Sequence, residues 1–259
     1  MENQFNINLE GKIPSREEFI ASKRRDPNNL SYWYPKVKDA GILTPKTIIL
    51  SVPDDTVFSF FREEEGDDER LKAFVHCSVM PAIHKIGGTP FLKNGCFSNK
   101  FEFGDCTPNE LSEEKILESF IKINMASACV GAEGYTEFIV RDRIPAPADA
   151  PRIYGGMPLQ TEFRVFYDFD AKRPLYCVNY WDHDYCIGGL HGKDVDVFEA
   201  ATPEILNVYQ RFVSEILLLC RKKLCNVKGL KGVWSVDILL DHNYIPWLID
   251  MAVANKSAY

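Results

Sequence analysis

Two acidic residues near the end of the chain sit where acids are hard to keep. Asp237 lies in the middle of VWSVDILLD (233–241), and Asp250 lies between Ile249 and Met251 in the run 245–251, IPWLIDM. Both runs alternate and are apolar enough to be strands, joined around Asp241-His242-Asn243 as a hairpin. A carboxylate buried in such a setting requires a cation, a hydrogen-bond network or a proton. If 240 pairs with 245 and 237 with 248, Asp250 falls opposite Ser235 and diagonal to Asp237 on one face. Diagonal neighbours are roughly 7–8 Å apart between Cα atoms, close enough for a shared Mg²⁺ at about 2.0–2.1 Å from each carboxylate. A five-residue loop would instead put the two acids on opposite faces. If the acids do form a bare like-charged pair, removing one charge relieves repulsion and costs the ligand-free protein little. The plain alternative is an Asp that caps a turn or pairs with an Arg or Lys.

Cations supply the complementary half. Lys93 and Lys100 flank Asn94-Gly95 and Ser98 in LKNGCFSNK (92–100), a small polar loop suited to phosphate oxygens. GxxxxGK[ST] is absent, so this is no Walker loop. Arg141 and Arg143 follow the strand-like YTEFIVR (135–141). Arg164 stands mid-strand in TEFRVFYDF (161–169), sharing a face with Glu162 and Phe166. An Arg in that position clamps a phosphate, stacks on a base, or pairs with Glu162 or Asp168. Lys93 and Arg164, 71 residues apart, are therefore expected in one cleft with Asp237.

Taken in order, these residues resemble the ATP-grasp superfamily. The pattern is most similar to the cell-division-cycle branch that assembles a translation initiation factor, and to small phage and bacterial ATP-grasp proteins. The matching segments are Lys93, Ser98 and Lys100; EFIVR at 137–141; EFRVF at 162–166; and Asp237 with WLID at 247–250. The resemblance implies an α+β fold with two lobes of antiparallel sheet clasping ATP. It implies phosphate contacts from Lys93, Ser98 and Lys100, with Lys100 and Arg164 catalytic and Arg164 on the phosphate or acceptor side. Residues Glu137, Phe138, Ile139, Val140 and Arg141 would line the adenine, and Asp237 and Asp250 would hold Mg²⁺. The family's Asn two residues after the last acid is Ala252 here, and Asn255 or water would complete the metal shell.

The implied activity is an ATP- and Mg²⁺-dependent ligase that activates a carboxylate as an acyl phosphate for attack by an amine or similar nucleophile. An ATP-binding assembly chaperone, with a protein as its acceptor, is the alternative. An RNA-ligase-like nucleotidyltransferase with Lys93 as nucleophile is a further one, although no DGxVI-like segment follows.

The elements needed to position these residues are legible in outline. Thr47–Val52 reads as a buried strand, Arg70–Ile86 as a helix closed by Gly87-Gly88, and Ser112 as the cap of a helix to about Ala128. Residues 175–180 form a further strand, and 203–225 a helix with Ile205, Val208, Phe212, Ile216 and Leu219 on one stripe. The proline- and glycine-rich stretch 145–159 is a loop, and the acidic run 63–69 a solvated loop or helix start. Lobes are expected at 1–90, 91–140 and 141–259. A net charge of −7 opposes general binding to nucleic acid or anionic membrane. The N-terminus lacks a secretory pattern, no run of 18 apolar residues occurs, and the eight Cys show no CxxC pair. The expectation is a cytoplasmic protein with free thiols.

Overall fold

The computed structural model describes residues 14–57 and 69–257. The acidic run therefore lies, apart from Glu69, outside the described residues. Two antiparallel sheets dominate. The first has the order β1-β3-β2, from β1 (Thr47–Ser51), β2 (Pro90–Asn94) and β3 (Glu137–Asp142). The second runs β7-β6-β8-β9, from β6 (Glu162–Asp168), β7 (Arg173–Asn179), β8 (Val233–Leu240) and β9 (Pro246–Val253).

Strand alternation gives each sheet one apolar face and one chemical face. In the first, Leu92, Phe138 and Val140 pack with helices α3 (Glu69–Phe74), α4 (Met80–Ile86) and α6 (Glu113–Cys129). A π-turn at Val75–Val79 joins α3 to α4, with the Met80 N–H donating to the Val75 carbonyl. Pro81 follows at once and has no N–H to offer, so the helix widens where its ladder is broken. α6 opens with its Ser112 cap, as expected.

In the second sheet Phe163, Val165, Tyr167, Val236 and Ile238 form a core with α8 (Lys193–Leu224) and α2 (Leu30–Val37). α8 begins ten residues before the expected start, because Phe198 and Ala201 are buried in a third apolar cluster and hold its first turns. Pro203 then sits inside the helix rather than at its head. Between the sheets' segments, β4 (Arg152–Ile153) and β5 (Met157–Pro158) make a small ladder within the stretch expected to be loop. The remaining helices are α1 (Arg16–Arg24), with a Ser15–Glu18 capping box, and the short α5 (Phe103–Cys106) and α7 (His183–Cys186).

All eight cysteines are free thiols. No helix among the described residues is long and apolar enough to cross a membrane.

Candidate functional site

The chemical faces of the two sheets meet across a cleft of about 390 Å³. Register decides what enters it. Across the first sheet Phe91 pairs with Arg141 and Lys93 with Ile139, so Lys93 and Arg141 point away from the helices and toward the second sheet. Across the second, Arg164 pairs with Asp237 and Asp237 with Asp250. The three form one row over three strands.

That row depends on an irregularity. The hairpin pairs Leu240 with Pro246 and Ile238 with Leu248, leaving a five-residue loop rather than the even one expected. Such a loop would have sent the two acids to opposite faces. The ladder then slips by one residue, so that Ile249 is extra and Asp250 lands directly opposite Asp237. A β-bulge thus restores the shared face. The guanidinium of Arg141 holds it there, with Nη1 donating to the Ile249 carbonyl at 2.7 Å.

Both acids are met by cations of the same cleft. Arg164 grips Asp237 with two bonds, Nε to Oδ1 at 2.9 Å and Nη2 to Oδ2 at 2.8 Å. Lys93 Nζ donates to Asp250 Oδ2 at 2.6 Å, with a lysine side chain 1% exposed and an aspartate 32% exposed. Burial works against the charge on Arg164, but the Asp237 contact outweighs it and raises the pKa. The Asp–Lys and Asp–Arg pairing is therefore real, and it lies inside the cleft rather than on a turn.

Lys100 and Ser98 also line the cleft. The Lys100 ammonium donates to the Tyr180 hydroxyl and sits 3.9 Å from the centre of that ring and 5.1 Å from that of Trp181. Burial lowers its pKa, against the pull of Glu162 and Asp237. The segment between the lysines is a pinned turn. Asn94 is fully buried, its Oδ1 accepting from the backbone N–H of Cys96 and Phe97 at 3.1 and 2.8 Å and its Nδ2 donating to Ser127 at 2.8 Å.

Four expected adenine contacts and one metal ligand lie elsewhere. β3 is the central strand, so Phe138, Ile139 and Val140 spend their backbone groups on the ladders to β1 and β2, and their side chains are core. Glu137 accepts from the Ser31 backbone N–H and hydroxyl at the start of α2. Burial raises its pKa while those bonds oppose. None of these four lines the cleft, whereas Arg141, Asp142, Arg143 and Ile144 do. Asn255 lies in a 3₁₀ turn after β9, beside Lys23 and Asp26 in a separate shallow pocket.

The sequence reading gave no site role to Tyr180 and Trp181, and considered Glu162 only as a partner for Arg164. Glu162 lines the cleft and is 8% exposed. Burial, with Asp237 adding to it, pushes its carboxyl up to about 8, although Lys100 and Arg164 pull the other way. Its signal in the sequence was the shared face of Glu162 and Arg164 in one strand.

No family model matches the sequence, and no curated protein does. In structure the chain is similar to Cdc123 from Schizosaccharomyces pombe, with a TM-score of 0.55 and 16% identity over 88% of this chain and 83% of that one. Weaker likenesses are a RimK domain ATP-grasp protein from Sphaerobacter thermophilus DSM 20745 (TM-score 0.40, 12% identity, 90% of this chain and 60% of that one) and purK, N5-carboxyaminoimidazole ribonucleotide synthetase, in an ADP complex (TM-score 0.44, 9% identity, 87% and 44%). At these identities the likeness concerns the fold. The chain has the α+β ATP-grasp fold, as the resemblance of its motifs implied.

Proposed function

We infer that the chain is an ATP- and Mg²⁺-dependent ligase, which activates a carboxylate as an acyl phosphate for attack by an amine or similar nucleophile. One observation carries this reading. Lys93, Lys100, Arg141 and Arg164 converge with the cross-strand acids Asp237 and Asp250 in a single cleft of an ATP-grasp fold. Arg141 is 6% exposed, and its Nε and Nη2 have no hydrogen-bond partner among the described residues. A buried guanidinium left in that state calls for an anion, and a phosphate supplies oxygens in the right geometry. Positioning and electrostatic stabilisation are most of what phosphoryl transfer asks of a protein.

The donor set suits Mg²⁺ that arrives with nucleotide. Among the described residues no group of three His, Cys, Asp or Glu could hold a metal alone. Mg²⁺, however, commonly takes one or two carboxylates plus phosphate oxygens and water. Asp237 and Asp250 would hold it, each oxygen keeping a lone pair beyond its present bond. Bound there, the ion would neutralise charge on the transferring phosphate. Lys93, Lys100, Ser98 and Arg141 would take the nucleotide's phosphates. Residues 142–144, which line the cleft at the end of β3, would take the place of 138–140 as the surface for a base. Asn255 has no part in this assignment.

The Lys93 ammonium, buried and held by Asp250, is a fixed charge rather than a free nucleophile, which disfavours covalent nucleotidyl transfer. The deciding experiment is calorimetric titration with MgATP, followed by an acceptor screen that reads ADP and phosphate. Release in proportion to an acceptor consumed supports the ligase. Binding without any acceptor-dependent release favours an assembly chaperone, and absence of binding removes the reading.

A further inference from the structure

Away from the cleft, the chain gathers positive charge in one place. Segments 32–41 and 221–232 carry seven cations against a single acid, Asp39, a local charge of +6 that leaves −13 on the rest of a chain of −7. Lys36 and Lys38 stand at the end of α2, and Arg221, Lys222 and Lys223 in the last turn of α8. Lys228 and Lys231 follow in the turn that leads to β8. We propose that this surface binds the phosphate backbone of double-stranded nucleic acid without reading its sequence. Such binding is independent of the ligase reading.

Side-chain contacts join the two segments into one surface. The Tyr32 and Trp234 rings stack at 6.2 Å, and the Trp234 indole N–H donates to the Lys231 carbonyl at 2.9 Å. The Lys36 ammonium donates to the Tyr32 carbonyl and lies 3.6 Å from the centre of that ring. Two glycines with positive φ, Gly229 at +81° and Gly41 at +91°, leave room for the lysines. A Cβ there would stand 3.3 Å from Lys36 Cε and 3.1 Å from Lys223 Nζ. Like charges gathered on one surface repel one another, and the chain offers them little relief. Lys38 pairs with Asp39 at 3.2 Å, but Arg221, Lys222, Lys223, Lys228 and Lys231 are exposed and meet no carboxylate among the described residues. The terminal carbonyls of α8 favour cations at 221–223. They do not account for those at 36, 38, 228 and 231.

The character of the surface selects its polyanion. Within these segments Trp33, Val37, Leu224 and Leu230 all turn into the core. A bilayer would find no apolar wedge there, and a peptide no apolar anchor. Tyr32 is the exposed ring, but Trp234 and the Lys36 ammonium already engage it, which makes it a poor platform for an unpaired base. What remains is a lysine-rich array of point charges, suited to phosphates repeated along a duplex. The net charge of the chain opposes nucleic acid at long range, as composition implies. The patch acts within a Debye length of about 8 Å, so the binding is short-ranged and sensitive to salt.

The test is fluorescence anisotropy of a labelled duplex of about 20 base pairs, titrated with the full chain. Each of the five cations without a carboxylate that neutralises a phosphate adds about 0.9 to the fall of log affinity with log salt. Affinity should therefore drop about 500-fold between 50 and 200 mM KCl. The triple variant Lys222→Gln, Lys228→Gln, Lys231→Gln should lower that slope by about 2.7, and Lys228→Gln alone by about 0.9. Replacing three exposed cations outside the patch, by Lys172→Gln, Arg173→Gln and Lys193→Gln, should change affinity far less. Duplexes of unrelated sequence should bind alike. No duplex binding at 50 mM KCl, or an unchanged slope in a patch variant that keeps the wild-type melting temperature, would overturn the proposal. So would an equal loss in the control variant, a tenfold preference between sequences, or tighter binding to phosphatidylserine vesicles or to a poly-glutamate peptide.

Discussion

Glu162 offers a stability signature that needs no ligand. Its carboxyl titrates at about 8 in the folded protein against an ordinary 4.5, because burial disfavours the charged form and Asp237 adds to that; Lys100 and Arg164 oppose. A raised folded pKa means the folded state binds the proton more tightly. The stabilising contribution is therefore complete below about pH 4.5 and is lost as pH rises toward 8. Glutamine cannot titrate, so Glu162→Gln should gain on wild type steadily across that window and hold a constant lead above it. Urea midpoints at five pH values would show this, and a difference independent of pH would refute it. Asp250 gives the opposite lesson. Relief of like-charge repulsion predicted little loss from Asp250→Asn, but the structure places the buried Lys93 ammonium on that carboxylate. Removing one member of such a pair strands the other. We expect Asp250→Asn to cost about 3 kcal/mol in the ligand-free protein, near the low end for buried pairs because Asp250 is partly exposed. Unchanged stability would mean that Lys93 finds another partner. The oddness of Asp237 and Asp250 was legible from their apolar neighbours. The partner of Asp250 was not, since Lys93 lies 157 positions away.

Among the elements, most of the long strands and the longer helices followed from periodicity, while the features that aim the site came from pairing between distant segments. The bulge at Ile249 is invisible in IPWLIDM, which alternates no differently from an unbulged strand. The central place of β3 is equally hidden, because EFIVR alone does not reveal that both its edges are occupied. Position within the sheet, rather than the motif, decides that 138–140 are core and that the residues lining the cleft begin at Arg141. Arg141 joins these two facts, reaching from β3 to the bulge carbonyl. Its replacement by Met separates a structural tie from an anion receptor. The substitution loses one hydrogen bond, worth about 1 kcal/mol, and removes a buried charge with two unmet nitrogens. These terms nearly cancel, so Arg141→Met should shift the unfolding free energy by less than about 1 kcal/mol. MgATP affinity should nonetheless fall about tenfold or more, equivalent to about 1.4 kcal/mol. A large stability loss with unaltered affinity would make Arg141 a strut alone.

Over the whole molecule the charge distribution is uneven in a way that composition conceals. The chain carries −7, yet the cleft is lined by six cationic side chains (Lys93, Lys100, Arg141, Arg143, Arg164, Lys256) and four carboxyls (Asp142, Glu162, Asp237, Asp250). An enclosed patch of opposite sign to its surroundings focuses field lines and draws anions to the cleft while the net charge of the chain repels them at a distance. The same enclosure holds the sheets together. Lys93 to Asp250, Arg141 to the Ile249 carbonyl, and the Leu248 N–H to the Leu43 carbonyl at 2.8 Å all cross between the first sheet or its flanking loop and β9. A polyanion in the cleft would bridge both walls and add to these ties, so its binding should stabilise the fold as one unit. At a hundred times Kd the gain is about 2.7 kcal/mol, which for a chain of this size is a rise of roughly 5–10 °C in Tm. GTP should give a smaller rise than ATP, and added salt should reduce both because free ions screen the attraction. Mg²⁺ alone should do little, since Arg164 and Lys93 already hold the acids that would receive it. Adding it with ATP should raise Tm further than ATP with a chelator. Differential scanning calorimetry over ATP, GTP, Mg²⁺ and salt reads all four comparisons. A Tm that ignores millimolar MgATP would leave the cleft without its nucleotide, whatever the fold resembles.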